Sequence, residues 1–216
     1  MKYIIIYFLI LINITACTKF GKTYRVKGRV LNPVTGQGIQ GAEVRIYKNT
    51  MELPGGSKMQ KSAITDSEGN FDMSKLAFRT DKISVYSFPG EYYPIGWTQN
   101  NGQSFDMPAL KMGKTMHADF YAVSYGNLIL NINNVNCSGA GDVMNFHKKW
   151  VGFTDFENSY SSPREGCYSY TSPYPFQIPI GTYVYETKVV RSGITSFVYD
   201  TVTVAETGVS TINIDY

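Results

Sequence analysis

The residues of this 216-residue chain that could do acid–base, nucleophilic or metal chemistry are few: His117, His147, three cysteines and a short run of oxygen donors. His117 falls in an expected strand with Asp119 on its own face, but no His-x-x-Glu pair or acyl-transfer motif accompanies either histidine. Both are read as surface residues, and no catalytic residue and no cofactor is expected. Asp66, Glu68, Asn70 and Asp72 offer oxygen ligands at alternate positions, which is the chemistry of calcium. EF-hand spacing fails, because Gly69 occupies the fourth position and no Glu stands at the twelfth. The expectation is a tight polar hairpin, with calcium at Asp66, Glu68 and Asp72 as a side reading.

Aromatic side chains are the richer signal. The sequence holds 17 Tyr, 12 Phe and 2 Trp. Tyr92, Tyr93 and Trp97 sit in a stretch punctuated by Pro and Gly, read as a loop, and Trp150 lies among Phe146, Phe153, Phe156 and Tyr160. Exposed rings on rigid loops stack on sugar faces or anchor protein partners, so Tyr92, Tyr93, Trp97 and Trp150 are the candidate binding residues. The competing reading is that the rings fill the ends of small sandwiches.

Charge excludes another class. Lys and Arg number 20 against 17 Asp and Glu, a net +3, and no basic run exceeds Lys148-Lys149. Phosphate tracking needs cations concentrated on one face, so no nucleic-acid partner is expected.

Met1-Lys2 followed by the apolar Tyr3–Ile12 has the form of a secretory signal. It is too short to span a membrane as a helix, which takes about 20 residues. Ile14-Thr15-Ala16-Cys17 then resembles the bacterial lipobox. That resemblance implies cleavage before Cys17, acylation of Cys17 with palmitate-type chains, and anchoring to the membrane. Residues 1–16 are therefore the expected lipoprotein signal peptide and 17–23 a short tether.

Export makes the other cysteines interpretable. Cys137 and Cys167 would lie outside the reducing cytosol, and a disulfide between them is expected over two free thiols. Closing that loop would stabilise the fold by about 3–4 kcal/mol on the chain-entropy model.

The elements that must position these residues read as strands and turns, with helical periodicity confined to a turn near Ser74–Ala77. Tyr24–Leu31 alternates, with Tyr24, Val26, Gly28 and Val30 on one face, and Ala42–Tyr47 alternates again. Met51–Lys58 reads as a loop. Ser67-Glu68-Gly69 turns between two strands, and further strands are expected at Lys82–Phe88, Ser104–Met107 and Met116–Val123. In a second unit, strands are expected at Asn127–Asn133, Tyr183–Val190, Thr195–Val204 and Ser210–Tyr216, with an irregular interval at 134–177.

The expected fold is all-β: two tandem antiparallel β-sandwich domains, at 24–123 and 126–216, meeting at Ser124–Gly126. Val26-x-Gly28-x-Val30, Pro33-Val-Thr-Gly36-x-Gly38-Ile39-x-Gly41-Ala42-x-Val44 and Thr65-Asp66-x-x-Gly69-x-Phe71 together resemble a carboxypeptidase regulatory-like domain. The resemblance implies a transthyretin-like sandwich for the first domain. The second reads as immunoglobulin-like or again transthyretin-like. The layout is similar to exported lipoproteins of Bacteroidota. The zinc domain of true carboxypeptidases is not expected, since these residues leave no room for one, and the Tyr-Arg-Gly-Ser motif of hydroxyisourate hydrolases has no match in Asn213-Ile-Asp-Tyr216.

These readings imply a non-enzymatic envelope lipoprotein acting as a protein-binding or assembly module. The alternatives are a glycan-binding accessory protein and a pilus or adhesin subunit that pairs strands with a neighbour. The outer membrane is the expected address. Thr18-Lys19-Phe20-Gly21-Lys22 carries no acidic residue after Cys17, which leans toward the periplasmic side.

Overall fold

The structure is a computed structural model that describes residues 23–50, 56–76, 81–88, 90, 92–99, 102–104, 110–111 and 113–216. The signal segment and Cys17 lie outside the described residues. The described chain is all-β, and its contacts divide it into two compact units. The first runs to Leu31 and includes Gln37–Pro89 and Gly96–Tyr121. The second holds Asn32–Gly36, Gly90–Ile95 and Ala122–Tyr216.

In the first unit the strands are β1 (Thr23–Leu31), β2 (Glu43–Thr50), β3 (Gly56–Ile64), β4 (Asn70–Leu76), β5 (Asp81–Ser87), the second half of β6 (Tyr92–Gln99), whose residues to Ile95 fall in the second unit, β7 (Gly102–Ser104), β8 (Thr115–His117) and the start of β9 (Asp119–Asn133). Strand β1 pairs antiparallel with β4 and parallel with β8 and with Phe120–Tyr121 of β9, while β2 is flanked antiparallel by β3 and β5. The alternation read in β1 is real: Tyr24, Val26 and Val30 are fully buried on one face. They pack in the core that also holds Val44, Ile46, Phe71, Met73 and Ile83. Gly28 shares that face because a side chain has no room there. A Cβ would stand 1.9 Å from the Ala118 carbonyl oxygen. The same logic governs the turn pair Gly38 and Gly69. Gly69 has φ +78°, and its Cβ would meet the Val30 carbonyl oxygen at 2.2 Å.

The second unit contains the remainder of β9 with β10 (Val143–Trp150), β11 (Arg164–Glu165), β12 (Ser169–Thr171), β13 (Phe176–Pro179), β14 (Gly181–Arg191), β15 (Ile194–Val204) and β16 (Val209–Asp215). One sheet centres on β9, with β12 and β13 antiparallel on one side and β16 parallel on the other. The other has the order β11-β10-β14-β15. Leu128, Ile132, Met144, Val189, Ile212 and Ile214 fill the space between inner faces. Beside it, Asp142 is buried at the centre of a polar knot. Its carboxylate accepts from Ser138 N and Oγ, Asn134 Nδ2 and Arg191 Nε, and these bonds hold its pKa well below the usual carboxylate range. A disulfide joins Cys137 to Cys167 alongside, with Cα atoms 5.2 Å apart.

The elements differ from the sequence reading at several points, one being Gly56–Lys58, read as the end of a loop, which is the start of β3. Pairing is antiparallel except where β1 meets β8 and β9 and where β16 meets β9. Tyr92–Trp97, read as part of a loop, lies in β6, where Ile95 and Trp97 are both buried despite Pro94 and Gly96. Ser74–Leu76, read as part of a helical turn, is the end of β4. Ser124–Gly126, read as a joint, is continuous strand within β9. The irregular interval contains β10, which pairs with β14 from Val143 to Trp150.

Candidate functional site

A cleft of about 560 Å³ opens in the second unit, and its walls are aromatic. Trp150 forms its back. It ends β10 directly opposite Tyr183 of β14, and the two rings stack with centroids 5.8 Å apart and planes 8° apart. The turn that follows is held to this corner. Val151 N donates to Thr182 O at 2.8 Å, Thr154 N to Trp150 O at 2.9 Å, and Trp150 N to Thr154 Oγ1 at 3.0 Å. Gly181, at φ +131°, leaves the space that the indole occupies, since a Cβ there would lie 2.4 Å from Trp150 Nε1.

Trp150 is only 6% exposed, and its indole N–H is buried without a hydrogen-bond partner. The solvent-facing rings belong to Tyr93, 41% exposed, and Phe176, 39% exposed. Tyr93 stands edge-on to Trp150 at 5.8 Å and to Tyr125 at 6.3 Å. Phe156 closes the third side, beneath the ammonium of Lys149 at 4.9 Å. A polar rim completes the cleft: Asp155, Asn158 and Gln177, with Lys148 and Glu157 paired at 3.0 Å. Burial pushes the Tyr183 phenol up, and its hydroxyl donates to Pro179 O at 2.7 Å. Apolar walls with a few convergent polar groups make a ligand-binding cleft. The rings can take a flat apolar face, and the rim can hydrogen-bond its polar edge.

Next to the cleft, His147 is held as a structural residue. The expectation of a surface histidine is corrected here, because its side chain is only 13% exposed. Its ring is sandwiched between Phe156 (4.6 Å, 16°) and Tyr160 (4.0 Å, 18°). Nδ1 lies 2.9 Å from Glu157 O and Nε2 lies 3.0 Å from Glu186 Oε1, so both ring nitrogens are engaged. Glu186 also accepts from the hydroxyls of Tyr160 and Tyr199, which hold its pKa below the usual range. The Tyr160 phenol is in turn pushed up to about 12 by the carboxylate beside it. The signal in the sequence was β-strand alternation that places His147 opposite Glu186, and it could not be read because β10 itself was not recognised.

Of the candidate binding residues, Tyr93 and Trp150 meet in the cleft. Tyr92 is half-buried at the start of β6 and is not part of the cleft wall. Trp97 is corrected to a core residue of the first unit: 2% exposed, packed edge-on to Phe71 at 6.2 Å and Phe120 at 5.1 Å. The carboxylates of the calcium side reading have partners within the protein. Asp66 uses its carboxylate on its own hairpin, accepting from Glu68 N at 2.9 Å and Asn70 N at 2.8 Å. Asp72 is committed to Arg25, with Arg25 Nε 2.7 Å from its Oδ1. Among the described residues no group of three His, Cys, Asp or Glu side chains converges on a metal position.

No protein-family description matches the sequence, and neither does any curated protein. Solved structures do resemble the fold. The Bacillus anthracis TIE protein shares 13% identity over 90% of this chain at a TM-score of 0.33, and this chain spans 33% of its length. The minor pilin GBS52 of Streptococcus agalactiae shares 10% identity over 89% of this chain and 94% of its own, at a TM-score of 0.34. A DUF3823 family protein from Bacteroides uniformis shares 12% identity over 83% of this chain and 96% of its own, at 0.32. Similarity at this level concerns β-rich architecture alone.

Proposed function

We propose that this chain is a non-catalytic lipoprotein of the bacterial outer membrane, anchored through acylated Cys17, that binds glycan in the aromatic cleft of its second unit. The single observation behind the ligand class is the pairing of exposed Tyr93 and Phe176 with a rim of carboxylates and side-chain amides. Sugar rings present an apolar face for stacking and an equatorial belt of hydroxyls for such groups. The non-catalytic reading is supported by His147, whose ring nitrogens are both occupied by protein acceptors.

The test of the ligand is titration with a panel of envelope and host oligosaccharides, read by Trp150 fluorescence and by calorimetry. Saturable binding that is lost in Tyr93→Ala and Phe176→Ala supports the reading, and a panel without a saturating member defeats it. The anchor is tested separately by fatty-acid labelling, which Cys17→Ser should abolish. Protease treatment of intact cells then reports the side of the membrane, and protection until permeabilisation is expected for the periplasm-facing orientation. A protein-assembly role is a second reading, favoured by the exposed strand β15.

A further inference from the structure

One end of the first unit is bound by the chain itself to lie close to Cys17. From Cys17 to Thr23 the backbone spans no more than about 20 Å even when fully extended. Thr23 opens β1, and the register sets its neighbours. Leu76, the last residue of β4, lies directly opposite and is 55% exposed. On the other side Gly113 N donates to Thr23 O at 3.1 Å and Arg25 N to Lys114 O at 3.2 Å, which holds Lys111 and Lys114 beside the start of β1. Strand β3 reaches the same end. Lys61 Nζ donates to Ser74 O and Lys75 Nζ to Gln60 Oε1, both at 2.8 Å, and that alignment brings Lys58 and the exposed Met59 toward Leu76.

The charge at this end is one-sided. Lys58, Lys111 and Lys114 are exposed and, among the described residues, have no acidic partner. Lys58 stands directly opposite Lys48 of β2, a like-charge pair that is unfavourable in isolation. Asp81, opposite Lys48 on its other side, is the one acidic residue that the described strand registers bring here. The tether adds Lys19 and Lys22. By contrast Arg25, Arg45 and Arg29 are bound within the protein, to Asp72, Glu43 and the Glu68 carbonyl.

We infer that this end of the first unit is a membrane-docking surface for anionic phospholipid, with Lys58, Lys111 and Lys114 on the headgroup phosphates and Leu76 and Met59 in the interface. The inference rests on the proposed acylation of Cys17, which sets the tethered end against a bilayer rather than another partner. Lysine suits that partner. It is a hydrated point charge without the fixed fork of arginine, and a fluid layer of phosphates offers charge without fixed geometry. Leu76 and Met59 supply apolar contact at the boundary between headgroups and acyl chains. Tethering does the rest, because a surface held this close sees a high effective concentration of headgroups and stays seated with weak affinity.

The test uses the full acylated chain with one added thiol, since Cys137 and Cys167 are bonded to each other. Leu76→Cys carries a polarity-sensitive fluorophore. Ile64→Cys, exposed at the opposite end of β3, is the control. Both are reconstituted into phosphatidylcholine vesicles with and without phosphatidylglycerol, and fatty acid is measured on the same preparations. The Leu76 probe should shift to the blue on the anionic vesicles and lose the shift in high salt. It should also lose it when Lys58→Glu, Lys111→Glu and Lys114→Glu are combined, while the Ile64 probe stays unmoved throughout. An acylated chain whose Leu76 probe does not shift, or shifts equally on phosphatidylcholine alone, overturns the docking surface and leaves the anchor standing. Equal shifts at Leu76 and Ile64, or a shift that survives the three Glu substitutions, overturn it as well. A chain without fatty acid overturns both readings. A Leu76 probe shielded in isolated outer membranes but on neither vesicle gives the surface to an envelope protein and overturns the lipid assignment.

Discussion

Tyr93 stands edge-on to Trp150, ring centroids 5.8 Å apart and planes at 70°, so an exposed tyrosine is braced by a buried tryptophan. The two rings should separate in mutagenesis. Tyr93→Ala removes an exposed platform and should abolish saccharide binding while changing stability by less than about 1 kcal/mol. Trp150→Ala empties a buried site and should cost about 3–5 kcal/mol. Denaturant melts beside ligand titrations of both variants check this. Equal stability loss in the two would show that Tyr93 is a packing residue.

Gly181 offers a way to distort the cleft from below. A Cβ at this position would stand 2.4 Å from Trp150 Nε1, and φ +131° is a conformation that only glycine adopts readily. Gly181→Ala should cost about 1–3 kcal/mol through overpacking and shift the Trp150 emission maximum as the indole is displaced. Gly141→Ala is the control, since a Cβ there meets nothing within 4 Å.

How much of this could be read from residues alone depended on periodicity. Strands β1 and β14 announce themselves by strict alternation, and the burial of Tyr24, Val26, Tyr183 and Tyr185 follows it. The hairpin at Asp66–Asn70 was legible because Asp and Gly act through local backbone bonds. β6 was not, because Pro94 and Gly96 punctuate a strand whose inward residues are Ile95 and Trp97. The same difficulty divided the binding candidates. Trp97 and Trp150 look alike in sequence, and only the distant partners Phe71 and Phe120 place the first in a core. The cleft likewise draws Tyr93, Trp150 and Phe176 from three strands far apart in the chain, a proximity that no local pattern encodes.

Reduction should act on one corner of the second unit. The Cys137–Cys167 bridge ties the segment after β9 to the segment before β12. Breaking it with Cys137→Ser and Cys167→Ser together should lower unfolding stability by about 3–4 kcal/mol on the chain-entropy model. Hydrogen exchange should rise first around Asn134, Asp142 and Gly166, whose mutual bonds span the bridged loop. Unchanged protection there would mean that the polar knot holds the loop unaided.

Acid should loosen that knot. Asp142 is held well below the ordinary carboxylate range, chiefly by Ser138 Oγ and N, then by Asn134 and Arg191. A carboxyl whose folded pKa is depressed contributes stability that is fully present above its unfolded value of about 4. That contribution is lost as the pH falls toward the folded value. Asp142→Asn deletes it, so the variant should melt below the parent at pH 7, and the gap should close steadily on going below about pH 4. Glu186 is also depressed, by Tyr160, Tyr199 and His147, but it is present in both proteins and cancels in the difference. Differential scanning calorimetry of the pair at several pH values checks the prediction. A gap that is constant down to about pH 2 would assign Asp142 a packing role with no proton linkage.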